Sequence, residues 1–116
     1  MKHNFIFEVT LPVPPSVNAM YRRRGGYGMY KTEEANEWVN KCLRKIKKVE
    51  PFVREVEVSM YFFFKRETDL DNRIKALLDI LQESGVIKND KQVHSLLAFK
   101  EFDKDNPRVE VRVIGE

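Results

Sequence analysis

Apolar and polar residues alternate along several stretches of the chain, and a period of two residues is typical of strands. The first stretch, residues 4–11, ends at a proline-rich segment, because proline cannot donate to a sheet ladder. The clearest stretch, residues 54–65, has an apolar face from Val56 to Phe64. Two further strands are predicted over residues 93–102 and 108–114, and residues 103–107 are expected to join them as a hairpin. The residues predicted to face the core from the first two strands are Phe5, Phe7, Val9, Leu11, Val56, Val58, Met60, Phe62 and Phe64.

An apolar residue at every third or fourth position predicts two helices. The first covers residues 32–49, with Thr32 as its N-cap and lysines in its last turn, where the helix dipole favours cations. The second covers residues 70–84 and is followed by Gly85, a natural C′ residue. The apolar stripes consist of Ala35, Trp38, Val39, Cys42, Leu43 and Ile46 in the first helix and of Leu70, Ile74, Leu77, Leu78 and Leu81 in the second. With a short hairpin over residues 20–30, this order predicts an α/β (α+β) fold, a mixed β-sheet with two helices on one face.

The length of 116 residues suits a single domain, residues 1–116, whose core needs no covalent staple. No apolar run approaches the ~20 residues of a membrane span, and the N-terminus lacks the pattern of a signal peptide. The single Cys42 excludes an internal disulfide and a cysteine-based zinc site. We therefore expect a cytoplasmic protein without a membrane partner. Separately, we expect Cys42, Trp38 and the phenylalanines to lie in the core.

Positive charge is concentrated in one region of the chain. The net charge of the whole chain is +3, but residues 21–48 hold nine lysines or arginines against three glutamates. Such asymmetry favours a polyanionic partner that meets this region. The alternative is an ordinary solvated helix end beside a basic hairpin.

Within that region, residues 21–30 combine arginine, tyrosine and glycine. Arginine can fork onto phosphates, tyrosine can stack on an unpaired base, and glycine lets a loop adapt to a branched duplex. The segment is not a phosphate-binding P-loop, since no Gly-Lys-Ser/Thr follows, and no organic cofactor is expected. The alternative is an exposed hairpin whose tyrosines pack on the sheet edge. The candidate DNA contacts here and just before the aspartates are Tyr21, Arg22, Arg23, Arg24, Lys65 and Arg66.

Three carboxylates are the candidate catalytic groups. Asp69 and Asp71 stand where a strand becomes a helix, and Asp90 lies in the turn after that helix. If the two flanking strands pair, we expect the chain to double back and bring Asp90 towards the other two. Oxygen-only ligands suit Mg²⁺, with Mn²⁺ as a substitute, and such a metal activates water and polarises a phosphoryl oxygen. Lys75 lies one helical turn after Asp71, where its charge would neutralise phosphate.

Ordinary structural roles are the alternative for these residues. Aspartate at a helix start often caps free N–H groups, Asn89-Asp90 is a common turn pair, and Lys75 can form a surface pair with Asp71. Redundancy favours the functional interpretation, because one helix start needs only one cap. The polar residues available at that start are Thr68, Asp69, Asp71 and Asn72.

Two separated motifs resemble the RusA family of Holliday-junction resolvases. The first is Asp69-Leu70-Asp71-Asn72, followed by Lys75-Ala76, Gly85, Asp90 and Gln92-Val93. The second is Leu11-Pro12 and Pro14-Pro15-Ser16-Val17-Asn18, followed by Tyr21-Arg22. The match spans nearly the whole chain in order and spacing. The chain departs from the family at Asn89, where relatives can have an acidic residue, and at Glu67-Thr68, where a more basic run can precede the aspartates.

The resemblance implies a RusA-like fold and a small homodimeric, Mg²⁺-dependent endodeoxyribonuclease that acts on four-way junction DNA. The family's catalytic residues carry over to Asp69, Asp71 and Asp90 as metal ligands and to Lys75 in a supporting role. Asn18 and Asn72 join the candidate DNA contacts. Paired symmetric cuts by a two-fold dimer would then serve recombination and DNA repair. A non-catalytic protein of the same fold that binds branched nucleic acid is the rival hypothesis, and a purely structural metal site is a weaker one.

Overall fold

A four-stranded sheet and two helices form the frame of the computed structural model, which describes residues 4–16, 21–23 and 29–116. The strands are β1 (Phe5–Leu11), β2 (Tyr21–Arg23), β3 (Met29–Lys31), β4 (Val56–Phe64), β5 (Val93–Phe102) and β6 (Arg108–Gly115). The helices are α1 (Glu33–Lys45) and α2 (Asp71–Glu83), and a short 3-10 helix, Asp90–Gln92, precedes β5. The sheet order is β1-β6-β4-β5, and β2 and β3 form a separate two-stranded ribbon. The predicted α+β fold with a mixed sheet is confirmed.

The direction of one strand pair organises the sheet. β4 and β5 run parallel, whereas the pairs β1–β6 and β4–β6 are antiparallel. Parallel neighbours need a crossover connection, and α2 provides it. The prediction of a hairpin between β5 and β6 is wrong, because β4 lies between these two strands in the sheet. The N–H of Asp103 donates to the carbonyl of Phe64 (2.9 Å), so the chain passes the end of β4 on its way to β6.

The core lies between the sheet and the two helices. Along β4, buried residues alternate with exposed or half-buried ones, and the predicted inward face, from Val56 to Phe64, is buried throughout. The buried residues of both helices belong to one continuous core with β4 and β6, so the helices cover the same face of the sheet. Trp38 and Cys42 of α1 lie in this core, as predicted, and burial raises the pKa of the Cys42 thiol to about 12.

Thr32 and Gly85 mark helix ends as the sequence predicts. The hydroxyl of Thr32 accepts a hydrogen bond from the N–H of Ala35 (3.2 Å) at the start of α1. Gly85 follows α2 with a φ of 86°, in the left-handed region where any other residue would be strained. Neither of these helices, nor any other in the described part of the chain, is long and apolar enough to cross a membrane.

The other end of α1 differs from the prediction. The backbone becomes extended at Ile46, so Lys47 and Lys48 lie beyond the helix and not in its last turn. Leaving the helix early lets the chain bring Phe52 into the core, where its N–H donates to the carbonyl of Val86 (2.9 Å). Tertiary packing therefore overrides a local pattern that would continue the helix.

The expectation that the phenylalanines lie in the core is wrong for three of them. Phe5, Phe99 and Phe102 expose 63%, 43% and 56% of their surface. They lie on β1 and β5, the two edge strands of the sheet, where a side chain has a neighbouring strand on one side only. Phe99 stacks on Tyr61 of β4, with 5.0 Å between the ring centres.

The buried thiol predicts a loss of stability at alkaline pH. The pKa of Cys42 is about 12 in the folded protein and 9.0 for a free thiol. Between these values the unfolded chain loses its proton first, so the free energy of unfolding should fall by up to about 1.4 kcal/mol per pH unit above pH 9, and not below it. Urea unfolding across this range would measure the slope. Cys42→Ala should have a flatter slope than the parent, and equal slopes would contradict the prediction.

Candidate active site

Asp69 lies in the turn that joins β4 to α2, and Asp71 is the first residue of α2. Both residues are exposed. Leu70 occupies the N-cap position of α2, and it makes no side-chain capping hydrogen bond there. Within the described chain neither carboxylate is used to close the helix start, which removes the main structural alternative for these two residues.

Asn89, rather than Asp90, caps the short helix that precedes β5. Its Oδ1 accepts from the N–H of Lys91 (2.8 Å), and Oε1 of Gln92 accepts from the N–H of Asn89 (2.9 Å). These reciprocal bonds form a capping box. Asp90 uses its backbone N–H to donate to Oε1 of Gln82 in the last turn of α2 (3.0 Å), and the residue is exposed. The structural role in this turn therefore belongs to Asn89.

Asp90 lies at the opposite end of α2 from Asp69 and Asp71. The strands that flank α2 do pair as the sequence predicts, but they run parallel. Residues that follow β4 and residues that precede β5 therefore occupy opposite ends of the sheet. At about 1.5 Å of rise per residue, Gln82, the neighbour of Asp90, lies about 16 Å along the helix axis from Asp71.

This distance separates Asp90 from Asp69 and Asp71 within one chain. Two oxygens bound to the same Mg²⁺ can be about 4 Å apart at most. The described residues also contain no group of three histidine, cysteine, aspartate or glutamate side chains that could hold a metal ion. The expected approach of Asp90 to Asp69 and Asp71 does not occur inside one chain. The role of each aspartate as a metal ligand stays a prediction.

Lys75 forms an ion pair with Asp79 and not with Asp71. Its Nζ lies 3.6 Å from Oδ2 of Asp79, and the two side chains expose 78% and 53% of their surface. Such an exposed pair contributes only a few tenths of a kcal/mol, roughly, to stability. Because the pair is weak, the ammonium can leave Asp79 for a phosphate at little cost.

Basic and polar side chains surround the acidic turn. Lys65 and Arg66 precede it, Asn72 follows Asp71, and all three are exposed. Glu67 forms an ion pair with Lys100 of β5, so this acidic departure from the family pattern is neutralised by the neighbouring strand.

The predicted basic hairpin is only partly within the described chain. Residues 21–23 form β2, which pairs antiparallel with β3, as a hairpin requires. The structure therefore gives the backbone positions of Tyr21, Arg22 and Arg23. Asn18 and Arg24 lie outside the described residues.

Arg73 joins the acidic turn to the loop after β1, and the sequence patterns do not single it out. Its Nη1 donates to the carbonyl of Asp69 (2.9 Å) and its Nε donates to the carbonyl of Pro14 (3.2 Å). Burial lowers the pKa of Arg73, and the negative charge of Asp69 opposes this shift. The one local signal is an arginine in the first turn of a helix, where the dipole disfavours cations.

The candidate site is thus an exposed acidic turn with basic neighbours on an α+β scaffold. The family model described as "Endodeoxyribonuclease RusA" matches residues 12–114. The chain belongs to this family of endodeoxyribonucleases, and the resemblance of its motifs is confirmed.

Two relatives match most of the chain. The crossover junction endodeoxyribonuclease RusA of Aquifex aeolicus (strain VF5) is 26% identical over 108 residues, which cover 89% of this chain and 84% of the relative. The crossover junction endodeoxyribonuclease rusA of Enterobacteria phage HK97 is 28% identical over 112 residues, which cover 92% of each chain. The similarity therefore extends over most of the chain and is not confined to the aspartate motif.

The weak ion pair of Lys75 leads to a prediction about cleavage. Lys75→Ala should slow the cleavage of a bound four-way junction by roughly a hundred- to a thousand-fold, as for other lost electrostatic groups, and should change junction binding little. Asp79→Ala is the matched control, because it removes the ion pair but keeps the ammonium. Single-turnover rates and dissociation constants would measure both effects. A parent-like rate for Lys75→Ala would make Lys75 only a surface partner of Asp79.

Proposed function

We propose that this endodeoxyribonuclease resolves Holliday junctions by paired, symmetric, Mg²⁺-dependent cuts, with Mn²⁺ as a substitute, in recombination and DNA repair. Two relatives that match most of the chain are named crossover junction endodeoxyribonucleases. The observation on this chain that carries the proposal is the exposure of Asp69, Asp71 and Asp90, none of which caps a described helix. We also propose a cytoplasmic location for this work on DNA.

The chemistry of the donor set fits a hard divalent cation. Asp69, Asp71 and Asp90 would supply carboxylate oxygens, which Mg²⁺ and Mn²⁺ prefer. The bound metal would supply an activated water and neutralise phosphate charge. Lys75 would add a second positive charge at the phosphate, and the products would carry 5′-phosphate and 3′-hydroxyl ends.

The exposed residues beside Asp69 would hold the scissile strand. Lys65 and Arg66 would contact its phosphates, and Asn72 would donate to a phosphate or a base edge. The arginines and Tyr21 of the basic hairpin would contact the junction farther from the cut. These contacts would place a backbone phosphate against the acidic turn.

A homodimer would reconcile three metal ligands with the topology of the chain. Asp90 is too far from Asp69 and Asp71 of its own chain to share an ion with them. In a two-fold dimer, Asp90 of each chain would complete the site that Asp69 and Asp71 begin on the other chain. Two such sites related by symmetry would face two strands of like polarity in a four-way junction, which accounts for paired cuts.

Single substitutions of the ligands test the metal site first. Asp69→Asn, Asp71→Asn and Asp90→Asn should each abolish Mg²⁺-dependent nicking of a synthetic junction, because asparagine keeps the shape but lacks the anionic charge that holds Mg²⁺. Junction binding should persist or tighten, since a negative charge facing phosphates is removed. A variant that nicks normally would identify its aspartate as structural. Junction binding without nicking by the parent would favour the rival, non-catalytic function.

Mixing two inactive variants then tests whether the site is shared between chains. A heterodimer of Asp69→Asn with Asp90→Asn has one intact shared site, because the second chain supplies Asp69 and Asp71 and the first supplies Asp90. Mixing these variants should therefore restore nicking of one strand. The control mixture, Asp69→Asn with Asp71→Asn, leaves no shared site intact and should stay inactive. Equal inactivity of both mixtures after subunit exchange would contradict the shared site.

The basic hairpin predicts a change in salt dependence. Replacing Arg22, Arg23 and Arg24 by alanine should weaken junction binding. Each lost phosphate contact should also lower the slope of log K against log salt by about one. Titrations at several salt concentrations would measure the slope. An unchanged slope would show that these arginines face away from the DNA.

A further inference from the structure

The loop after β1, residues 12–16, is fixed by side chains from both helices. Nε1 of Trp38 in α1 donates to the carbonyl of Pro12 (2.8 Å), and Nε of Arg73 in α2 donates to the carbonyl of Pro14 (3.2 Å). A proline has no N–H, so at Pro12 and Pro14 the carbonyl is the only backbone group that can form a hydrogen bond. At these two residues the proline loop is held by donors that lie outside it.

The guanidinium of Arg73 also reaches the acidic turn. Its Nη1 donates to the carbonyl of Asp69 (2.9 Å), and its central carbon lies 5.4 Å from the ring centre of the buried Phe64. A guanidinium is planar and presents its donors in a rigid fork. A hydrogen bond to one carbonyl therefore fixes the direction in which the guanidinium can donate to the other. This holds the proline loop and the Asp69 turn at a set distance from one another.

This arrangement is not explained by the stability of α2 alone. A cation in the first turn opposes the helix dipole, and Arg73 is half-buried, which adds a desolvation cost. Its two hydrogen bonds go to carbonyls of two separate segments and not to α2 itself. The contacts of Arg73 therefore hold these two segments in place relative to one another.

We propose that Arg73 is a positioning residue that fixes the proline loop against the turn carrying Asp69, and so aligns bound DNA with the metal-binding carboxylates. The proline loop leads along the chain towards β2, Tyr21–Arg23, which holds candidate DNA contacts. The turn on the other side of the guanidinium holds a proposed metal ligand. The inference rests on the proposed function, because alignment matters only if Asp69 binds the metal. A misplacement of about 1 Å at a reacting centre can cost roughly a hundredfold in rate.

Two variants of Arg73 and one control test the proposal. Arg73→Gln removes the charge and the fork, and Arg73→Lys keeps the charge but cannot hold two carbonyls in one plane. Arg108→Gln is the matched control, because Arg108 is also largely covered (24% exposed) and stacks on an aromatic ring of β4, Phe63, at 3.9 Å. It forms ion pairs with Asp103, in the connection between β5 and β6, and with Glu110 of β6. Circular dichroism would confirm that each variant is folded.

Cleavage and binding give the first readout. Both Arg73 variants should cleave a bound four-way junction about ten- to a hundredfold more slowly than the parent in single turnovers. Junction affinity and its salt slope should stay unchanged, and Arg108→Gln should cleave at the parent rate. Recovery of the parent rate by Arg73→Lys would overturn the proposal, because charge alone would then suffice. A salt slope shallower by about one in Arg73→Gln would also overturn it, since Arg73 would then contact a phosphate.

The chain's single tryptophan gives a second readout that needs neither metal nor DNA. Because Trp38 donates to Pro12, loosening of the proline loop should shift its emission to longer wavelength and increase its quenching by acrylamide. Both changes are expected in Arg73→Gln and not in Arg108→Gln. Parent-like emission and quenching in Arg73→Gln would overturn the proposal. If Asp69→Asn cleaves normally, the proposed role of Asp69 fails, whereas the emission of Trp38 still decides whether Arg73 holds the loop.

Discussion

The parallel pairing of β4 with β5 determines where the candidate functional residues of this protein lie. A parallel pair requires a crossover, and the crossover here is α2, a helix of 13 residues. Asp71 begins this helix, and Asp90 follows it beside Gln82 in the last turn. The length of α2 therefore sets the distance between the two parts of the candidate site. No rotation of an exposed side chain can close a gap of about 16 Å.

The core keeps this distance constant. Leu77, Ile80 and Leu81 of α2 are almost wholly buried against the sheet, and the inward face of β4 is buried along its whole length. A slip of one residue in β4 would turn that face outwards, so the register between β4 and β5 is strongly specified. At the N-terminal end of α2, Arg73 adds a polar connection to the proline loop. One end of the helix is thus tied to the proline loop, while Gln82 near the other end accepts a hydrogen bond from the N–H of Asp90.

Much of the fold follows from hydrophobic periodicity, because burial of one face imposes that periodicity. The bounds of β5 and the alternation of β4 are predicted, and so is the cap at Thr32. Strand order and helix ends are harder to predict from the sequence, because they depend on contacts between distant segments. β6 inserts beside β4 and not beside β5, and α1 ends where Phe52 must reach the core. The placement of Asp90 was predictable in principle, since a helical crossover is the usual connection between parallel neighbouring strands. The role of Arg73 was not predictable, because its two acceptors are backbone carbonyls of segments separated along the chain.

Asn89, the residue next to Asp90, makes the structural hydrogen bonds of this turn. Asparagine caps a helix as well as aspartate does, and Asn89 makes the capping bonds of this turn without adding a charge. An acidic residue there would place a second negative charge beside Asp90, and both would repel phosphates. With Asn89 as the cap, the carboxylate of Asp90 has no capping role in the described chain, and the residue stays exposed. The departure from an acidic pair therefore preserves the turn without adding negative charge beside the carboxylate of Asp90.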